Sequence, residues 1–232
     1  SPDVLFIRPR FNTDAHFDPL QDFTPISKIA VSQHVLVVDA TTVPSSSVRD
    51  FIAAAKVLGG HLRFGSAGNG TLSHLAGVQL NRMAGLEGTH VPYKSGTWAL
   101  ADLVGRRLHY VIADERAVRS MILRGRLRML AVTSAQRATV LPQLPTLAEA
   151  GVPGYHLTAW QGLFAAGKTS SAIVAVLNAP VVTHLKLPEV AKRLLARGVE
   201  PAGTSPEEFA LSLREDAARY ARLIESARDA ES

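Results

Sequence analysis

Two short stretches of the chain place glycines and small polar residues directly after an apolar run. The first, FGSAGNGTLSHLAG at 64–77, passes into glycines and then into helical spacing, and HVPYKSGTWAL at 90–100 repeats the pattern. Where a strand enters a helix through a glycine-containing turn, the first helical turn presents unpaired N–H groups and the positive end of its dipole. Both stretches therefore favour binding of a small anion.

Side chains in both stretches could add hydrogen bonds to those of the backbone. Gly68 and Gly70 let the backbone approach a ligand closely, and His74 lies in the first helical turn, where it can donate. The candidate ligand-binding residues are Ser66, Ala67, Gly68, Asn69, Gly70, Thr71, Ser73, His74, Tyr93, Lys94, Ser95, Gly96 and Thr97. In the alternative interpretation Asn69 or Thr71 only caps a helix and the glycines only make a tight turn.

Other kinds of site fit the sequence less well. The first stretch lacks the Gly-Lys-Ser/Thr of a phosphate-binding loop and the glycine spacing of a dinucleotide site. Ser73, His74 and Asp102 supply the residue types of a hydrolase triad, but adjacent residues on a helix point about 100° apart and no G-x-S-x-G turn exists. The eight histidines lack metal-ligand spacing. The sequence therefore predicts no enzyme, no cofactor and no metal.

Strands and helices alternate through the middle of the chain. Apolar runs predict strands at 34–38, 62–66, 89–93, 108–113 and 128–133, with helices near 48–58, 71–84, 97–104 and 115–124. Ser45 to Ser47 offer caps for the first helix, and glycines end each one, the last at Gly125. This alternation predicts an α/β protein with a mostly parallel sheet. In such a sheet the two glycine-containing stretches lie at the carboxyl edge, where ligands bind.

The C-terminal third is richer in helices. One more strand is expected within 158–166, followed by helices near 170–185, 188–197 and 206–228. Ser205 and Glu208 have the spacing of a capping box for the last helix. One face of that helix carries Phe209, Leu213, Tyr220 and Ile224. These helices are expected to complete a second lobe or to cover the sheet.

Composition limits the protein to an ordinary globular class. The chain has 232 residues, 47% of them hydrophobic, and 25 Lys and Arg against 20 Asp and Glu, for a net charge of +5. This mild excess does not establish a nucleic-acid binder. The absence of cysteine excludes disulfides and thiolate metal sites. The start, SPDVLFIRPR, has neither an initiator Met nor a signal pattern, which leaves open that it begins part-way through a longer precursor.

Seven segments carry a family resemblance through their order and spacing. They are FTPISKIA, VLVV, SAGNGTLSHLAG, HVPYKSG, LRMLAVTSAQR, LPQLPTLAEAGVPGY and W-x-GLFA. Together they resemble the substrate-binding proteins of tripartite tricarboxylate transporters, also called the Bug family. The resemblance implies a periplasmic binding protein type II-like fold, with two α/β lobes joined by hinge strands. It also implies a dicarboxylate, tricarboxylate, amino-acid or aromatic-acid ligand.

The same resemblance implies a domain division and partners. Residues 1–36 would form part of lobe 1, 37–158 lobe 2, and 159–232 the rest of lobe 1 with the C-terminal helices. Asp114 and Trp160 join the candidate ligand-binding residues. The implied protein is a periplasmic monomer without a nucleic-acid partner, and membrane transporter subunits carry its solute inward.

The chain departs from the family pattern in three places. No glycine-rich PFPPGGGTD-like loop is present, so the first lobe is expected to be incomplete. The family's Asp-Asn after one strand is replaced by Ala113-Asp114-Glu115, and a Gly-Gly pair by Gly105-Arg106. The alternative function is therefore a truncated or degenerate relative that no longer binds solute and acts as a regulatory or interaction protein.

Arginines are concentrated in one part of the chain. Seven lie between Arg106 and Arg128, against Asp114 and Glu115, and could contact nucleic acid or anionic lipid. They are divided among strand, helix and loop, with only Tyr110 as a nearby aromatic residue. We therefore favour the interpretation that these arginines are solvated surface charges.

Overall fold

The computed structural model describes residues 1–11, 17–42, 45–122 and 126–231. The chain divides into two compact units. Unit 1 consists of Ser1–Ser32 with Ala159–Ser232, and unit 2 of Gln33–Thr158. The first division precedes the strand that starts at His34, whereas the expected boundary after residue 36 would cut that strand.

Strands and helices alternate between residues 34 and 132. The strands are β1 (Phe23–Ser32), β2 (His34–Asp39), β3 (Arg63–Ser66), β4 (Thr89–Pro92), β5 (Tyr110–Asp114), β6 (Leu127–Val132), β7 (Ala159–Ala166) and β8 (Val199–Pro201). The helices are α1 (Arg8–Phe11), which follows a π-helical segment (Asp3–Ile7), α2 (Val48–Leu58), α3 (Leu72–Ala84), α4 (Gly96–Val104), α5 (Glu115–Ile122), α6 (Ser171–Leu185), α7 (Pro188–Ala196) and α8 (Pro206–Glu231). A short 3₁₀ turn, Gly59–His61, precedes β3. Outside the alternating part, β1 is followed directly by β2, β6 by β7 and α6 by α7.

Unit 2 contains a five-stranded sheet in the order β4-β3-β5-β2-β6. β3 pairs in parallel with β4 and β5, whereas β2 is antiparallel to β5 and β6. Four strands therefore point the same way, as the alternation predicts, and β2 points against them. No single crossover helix joins β2 to β5 or β6, the strands that it pairs with, so no βαβ unit imposes a parallel direction on it.

Local signals in the sequence set the helix ends of unit 2. The Ser47 side chain accepts the N–H of Asp50 at the start of α2, and Thr71 accepts that of His74 at the start of α3. Gly85 ends α3 in the left-handed conformation, with φ of 63°. These predicted ends are confirmed, while the expected end of α5 at Gly125 lies outside the described residues.

An aromatic cluster joins α3 to the sheet of unit 2. The ring of Phe64 stacks on Tyr110 with centroids 5.4 Å apart, and Phe51 meets Tyr110 edge-on at 5.2 Å. A Cβ atom at Gly77 of α3 would lie 2.2 Å from the Phe64 ring. The helix packs this closely against β3 because residue 77 has no side chain.

Unit 1 is built on a three-stranded antiparallel sheet in the order β7-β1-β8. At the start of α8, Glu208 accepts the N–H of Ser205 at 2.9 Å, and Ser205 Oγ accepts that of Glu208 at 3.1 Å. The predicted capping box is therefore confirmed. The four residues predicted on one face of α8 are all buried: Phe209, Leu213, Tyr220 and Ile224.

Two strands of unit 1, β1 and β8, were not expected from the sequence. Pro25 lies within β1 and has no N–H, which normally argues against a central strand. β8 pairs only with Ala30 to Ser32, and the register with β7 shifts between Pro25 and Ser27. The missing N–H of Pro25 therefore falls outside the part of β1 that has partners on both sides.

No single helix among the described residues is long and apolar enough to cross a membrane. The pair α6 and α7 meets the length and composition requirement only jointly, and a bend of 74° separates the two helices.

Replacing Gly77 by Ala should destabilise the fold. The Phe64 ring is 1% exposed and held between neighbouring rings, so it cannot move away from an added methyl group. We expect a loss of about 1–3 kcal/mol in the free energy of unfolding, measured by urea denaturation. Gly60→Ala is the matched control, because nothing lies within 4 Å of its Cβ position. Equal stability of the two variants would contradict this packing.

Candidate functional site

The two glycine-containing stretches lie side by side in unit 2. Ser66 and Pro92 are paired at the carboxyl ends of β3 and β4, and the N–H of Tyr93 donates to the Ser66 carbonyl at 3.1 Å. We call residues 66–71 the glycine turn and residues 93–97 the tyrosine turn. Each leads directly into a helix, α3 or α4, as the sequence predicts.

The backbones of the two turns touch at Gly68. This residue has φ of +117°, and a Cβ atom there would lie 3.0 Å from the Tyr93 carbonyl oxygen. Both the conformation and the close approach require glycine. The glycine turn is thus set against the tyrosine turn by main-chain contact.

Hydroxyl groups of the glycine turn bind its own backbone. Ser66 Oγ accepts the N–H of Gly68 at 3.0 Å, and Ser73 Oγ accepts that of Ala67 at 3.0 Å. Thr71 Oγ1 donates to the Gly68 carbonyl at 2.7 Å. These hydroxyls fix the shape of the turn, and their contact with a ligand stays a prediction.

A pair of histidines packs beneath the glycine turn. His74 is fully buried, and its Nδ1 accepts the N–H of Gly70 at 3.3 Å, so this atom accepts rather than donates as was expected. The ring of His74 stacks on His90 with centroids 3.9 Å apart. Burial lowers the pKa of His74 to about 4. Burial and the neighbouring His74 lower the pKa of His90 to about 3.

Several main-chain N–H groups of the turns have no internal acceptor in the part of the chain that the structure describes. They belong to Asn69, Gly96, Thr97 and Trp98. Ser95, at the N-cap of α4, is extended and makes no side-chain capping bond. The first turn of α4 therefore offers N–H groups to an external acceptor.

The hydroxyl of Tyr93 is held by α4. It donates to Asp102 Oδ2 at 2.8 Å, while Arg107 pairs with the other carboxylate oxygen at 2.8 Å. Burial and the Asp102 carboxylate raise the pKa of Tyr93 to about 12. The recorded partners of Asp102 are Tyr93 and Arg107, so the structure does not assemble a triad from Asp102, Ser73 and His74.

Two residues that the resemblance adds to the candidate set have side chains engaged elsewhere. Arg116 binds both carboxylate oxygens of Asp114, at 2.8 and 2.6 Å. Burial would raise the pKa of Asp114, but hydrogen bonds from Arg116 lower it overall. Trp160 lies in unit 1, is 1% exposed, and donates its indole N–H to Asp216 at 2.8 Å. The Asp114 carboxylate is thus engaged by Arg116 and the Trp160 indole by Asp216, and their contact with a ligand stays a prediction. The side chains of Lys94 and Thr97 are exposed.

Arginines between 106 and 128 are largely paired with carboxylates. The ion pairs are Arg107–Asp102, Arg116–Asp114, Arg119–Glu115 and Arg126–Asp39. Arg124 lies outside the described residues. These pairs support the interpretation of surface charge. No group of three side chains able to hold a metal ion occurs within the described ranges.

Comparison with known proteins gives the family. Residues 2–228 match the family described as "Tripartite tricarboxylate transporter family receptor". The chain belongs to this receptor family. A relative from Pseudomonas sp. strain P51, the "UPF0065 protein in tcbD-tcbE intergenic region", is 37% identical over 205 residues. The alignment covers 88% of this chain and 61% of the relative, so the chain spans less than two thirds of that protein.

Solved structures show the same fold for this family. A structure of Rpa4515 from R. palustris with adipate has a TM-score of 0.78 and 36% identity, covering 91% of this chain and 70% of that one. MatC from Rhodopseudomonas palustris with bound malate has a TM-score of 0.72 and 28% identity, covering 91% and 72%. The chain has the α/β fold of periplasmic solute-binding proteins of the type II-like class.

Removing the Thr71 hydroxyl should loosen the start of α3. Thr71→Val loses both the cap that accepts the His74 N–H and the bond to the Gly68 carbonyl. We expect a loss of about 1 kcal/mol in the free energy of unfolding in urea. Thr71→Ser keeps the hydroxyl and should stay close to the native chain. A Val variant as stable as the Ser variant would show that the cap contributes nothing.

Proposed function

We propose that this receptor captures a small carboxylate at the glycine and tyrosine turns and delivers it to membrane subunits of a tripartite transporter. One observation carries the proposal: two turns with available main-chain N–H groups lie in contact at the ends of paired parallel strands. The carboxylates bound by Rpa4515 and MatC support the choice of ligand class.

Main-chain N–H groups suit a carboxylate for two physical reasons. Hydrogen bonds from N–H groups to an ionised acceptor are about twice as strong as those between neutral groups. The N-terminus of α4 adds the positive end of a helix dipole, equivalent to roughly half an elementary charge. Binding then needs no dedicated arginine, which agrees with the engagement of nearby arginines by Asp102 and Asp114.

The proposal includes a periplasmic location and a monomeric state, as the family resemblance implies. A degenerate relative that serves only as an interaction protein is the competing function. The two differ in one measurable property, because only a solute receptor is stabilised by a free carboxylate.

A panel of carboxylates tests the proposal directly. We expect adipate, malate or a related acid to raise the melting temperature, since a ligand at 100 times its Kd stabilises by about 2.7 kcal/mol. Fluorescence locates the effect: Trp98, in the first turn of α4, is 68% exposed, whereas Trp160 is 1% exposed. A bound acid should therefore change the emission of Trp98 and its quenching by iodide. No response to any acid would reject the function.

Removing one N–H group of α4 should weaken binding. Gly96 is the first residue of the helix, where proline is tolerated, and Ser95 already has the extended conformation that precedes proline. We expect Gly96→Pro to raise the Kd of the bound acid about tenfold, because hydrogen bonds to charged groups contribute about 1.5–3 kcal/mol.

Gly96→Ala is the matched control for this variant. It keeps the N–H group, and nothing lies within 4 Å of its Cβ position. Equal loss of affinity in the Pro and Ala variants would mean that the N–H group of Gly96 does not contact the acid. Calorimetric titration of each variant supplies the Kd values.

A further inference from the structure

The stacked histidines contact both ends of the glycine turn. His74 comes from α3 and His90 from β4, and their rings lie 14° from parallel. His74 Nδ1 accepts the N–H of Gly70, and His90 Nε2 lies 2.6 Å from Ser66 Oγ. One ring therefore holds the end of the turn, and the other holds its beginning.

Ser66 extends the contact of His90 into the turn. The same Ser66 Oγ that meets His90 accepts the N–H of Gly68 at 3.0 Å. His74 thus holds Gly70 directly, and His90 holds Gly68 by way of the Ser66 hydroxyl. Between them lies Asn69, whose N–H has no internal acceptor in the described part of the chain. The direction of that N–H group depends on its two held neighbours.

We propose that His74 and His90 are positioning residues of the carboxylate site and that they hold the glycine turn in its ligand-binding form. This inference rests on the proposed function. Neither ring needs to touch the acid, because each acts through main-chain groups of the turn.

The hydrogen bond from Gly70 requires a neutral His74, and burial in the stack disfavours a charge on either ring. A proton on His74 Nδ1 would face the N–H of Gly70, placing donor against donor, and a charged ring would lie buried on its neighbour. Besides the other ring, the pair is packed by Ser66 and Phe64 from β3. Burial is the main cause of both pKa shifts, and the neighbouring His74 adds to that of His90.

The lowered pKa values set the direction of the pH dependence. Both folded-state pKa values lie below the ordinary value of 6.5. The stability that the neutral pair contributes is therefore fully present above pH 6.5, and it is lost as pH falls towards 4 and then 3. The turn is expected to keep its form at neutral pH and to lose it in acid.

Four substitutions test the positioning role at pH 7.5, with adipate as the first probe and the rest of the carboxylate panel after it. His74→Phe keeps a ring in the stack but loses the acceptor of the Gly70 N–H. His90→Phe keeps a ring in the stack but loses the contact with Ser66. His74→Asn and His90→Gln keep a polar atom near the same place and do not titrate. We expect the Phe variants to raise the Kd about fivefold, and the Asn and Gln variants to stay near the native value.

A pH series separates positioning from a purely structural role. We expect the ratio of the native Kd to that of His74→Asn/His90→Gln to be constant from pH 7.5 to about 5.5 and to rise below about 4.5. The ionisation of the acid itself cancels in this ratio. A native affinity that increases in acid relative to the double variant would overturn the inference, because the imidazolium would then attract the ligand.

Other outcomes are equally decisive. If both Phe variants bind the acid with native affinity, the positioning role is overturned, even if their melting temperatures fall. The proposed function would stand in that case. If one Phe variant does not fold, the other still decides. Failure of the native chain to bind any acid of the panel at pH 7.5 would reject the proposed function and the inference together.

Discussion

The candidate site depends on the parallel pairing of β3 with β4. Parallel strands end at the same edge of a sheet, so the turns that follow them must begin next to each other. Here the pairing continues one residue beyond β4, where the N–H of Tyr93 reaches the Ser66 carbonyl. Gly68 then allows direct main-chain contact between the turns. Without this register, the available N–H groups would belong to two separate helix ends and could not share one ligand.

Packing behind the turns keeps that register fixed. Phe64 of β3 stacks on His90 of β4 at 5.0 Å and on Tyr110 of β5 at 5.4 Å, so one side chain joins three adjacent strands. Gly77 lets α3 approach this ring, and His74 extends the stack to the turn. A continuous column of rings therefore connects the core of unit 2 with the glycine turn.

Short-range signals in the sequence predict much of this arrangement, whereas the rest depends on burial and on contacts between residues distant in the chain. Caps such as Ser47 and Thr71, and the alternation of elements, identify the helices and the adjacent turns. The reversed direction of β2 and the strand β1 depend on pairings distant in the chain. The sequence also assigns His74 to ligand contact, although it lies in the interior and accepts a bond from Gly70. His90 was missed because its role depends on stacking across strands.

The arginines nearest to the candidate site are paired with carboxylates of the protein itself. Arg107 and Arg116 lie close in sequence to the ends of α4 and β5, yet each is engaged by a carboxylate of its own neighbourhood. The hydroxyls of Ser66 and Ser73 and the imidazole of His74 bind the backbone of the glycine turn. Under the proposed function, main-chain N–H groups with fixed directions meet the anion, beside the exposed side chains of Lys94 and Thr97. The proposed function then makes the spacing of these N–H groups a determinant of selectivity among acids, because the fold fixes where each donor points.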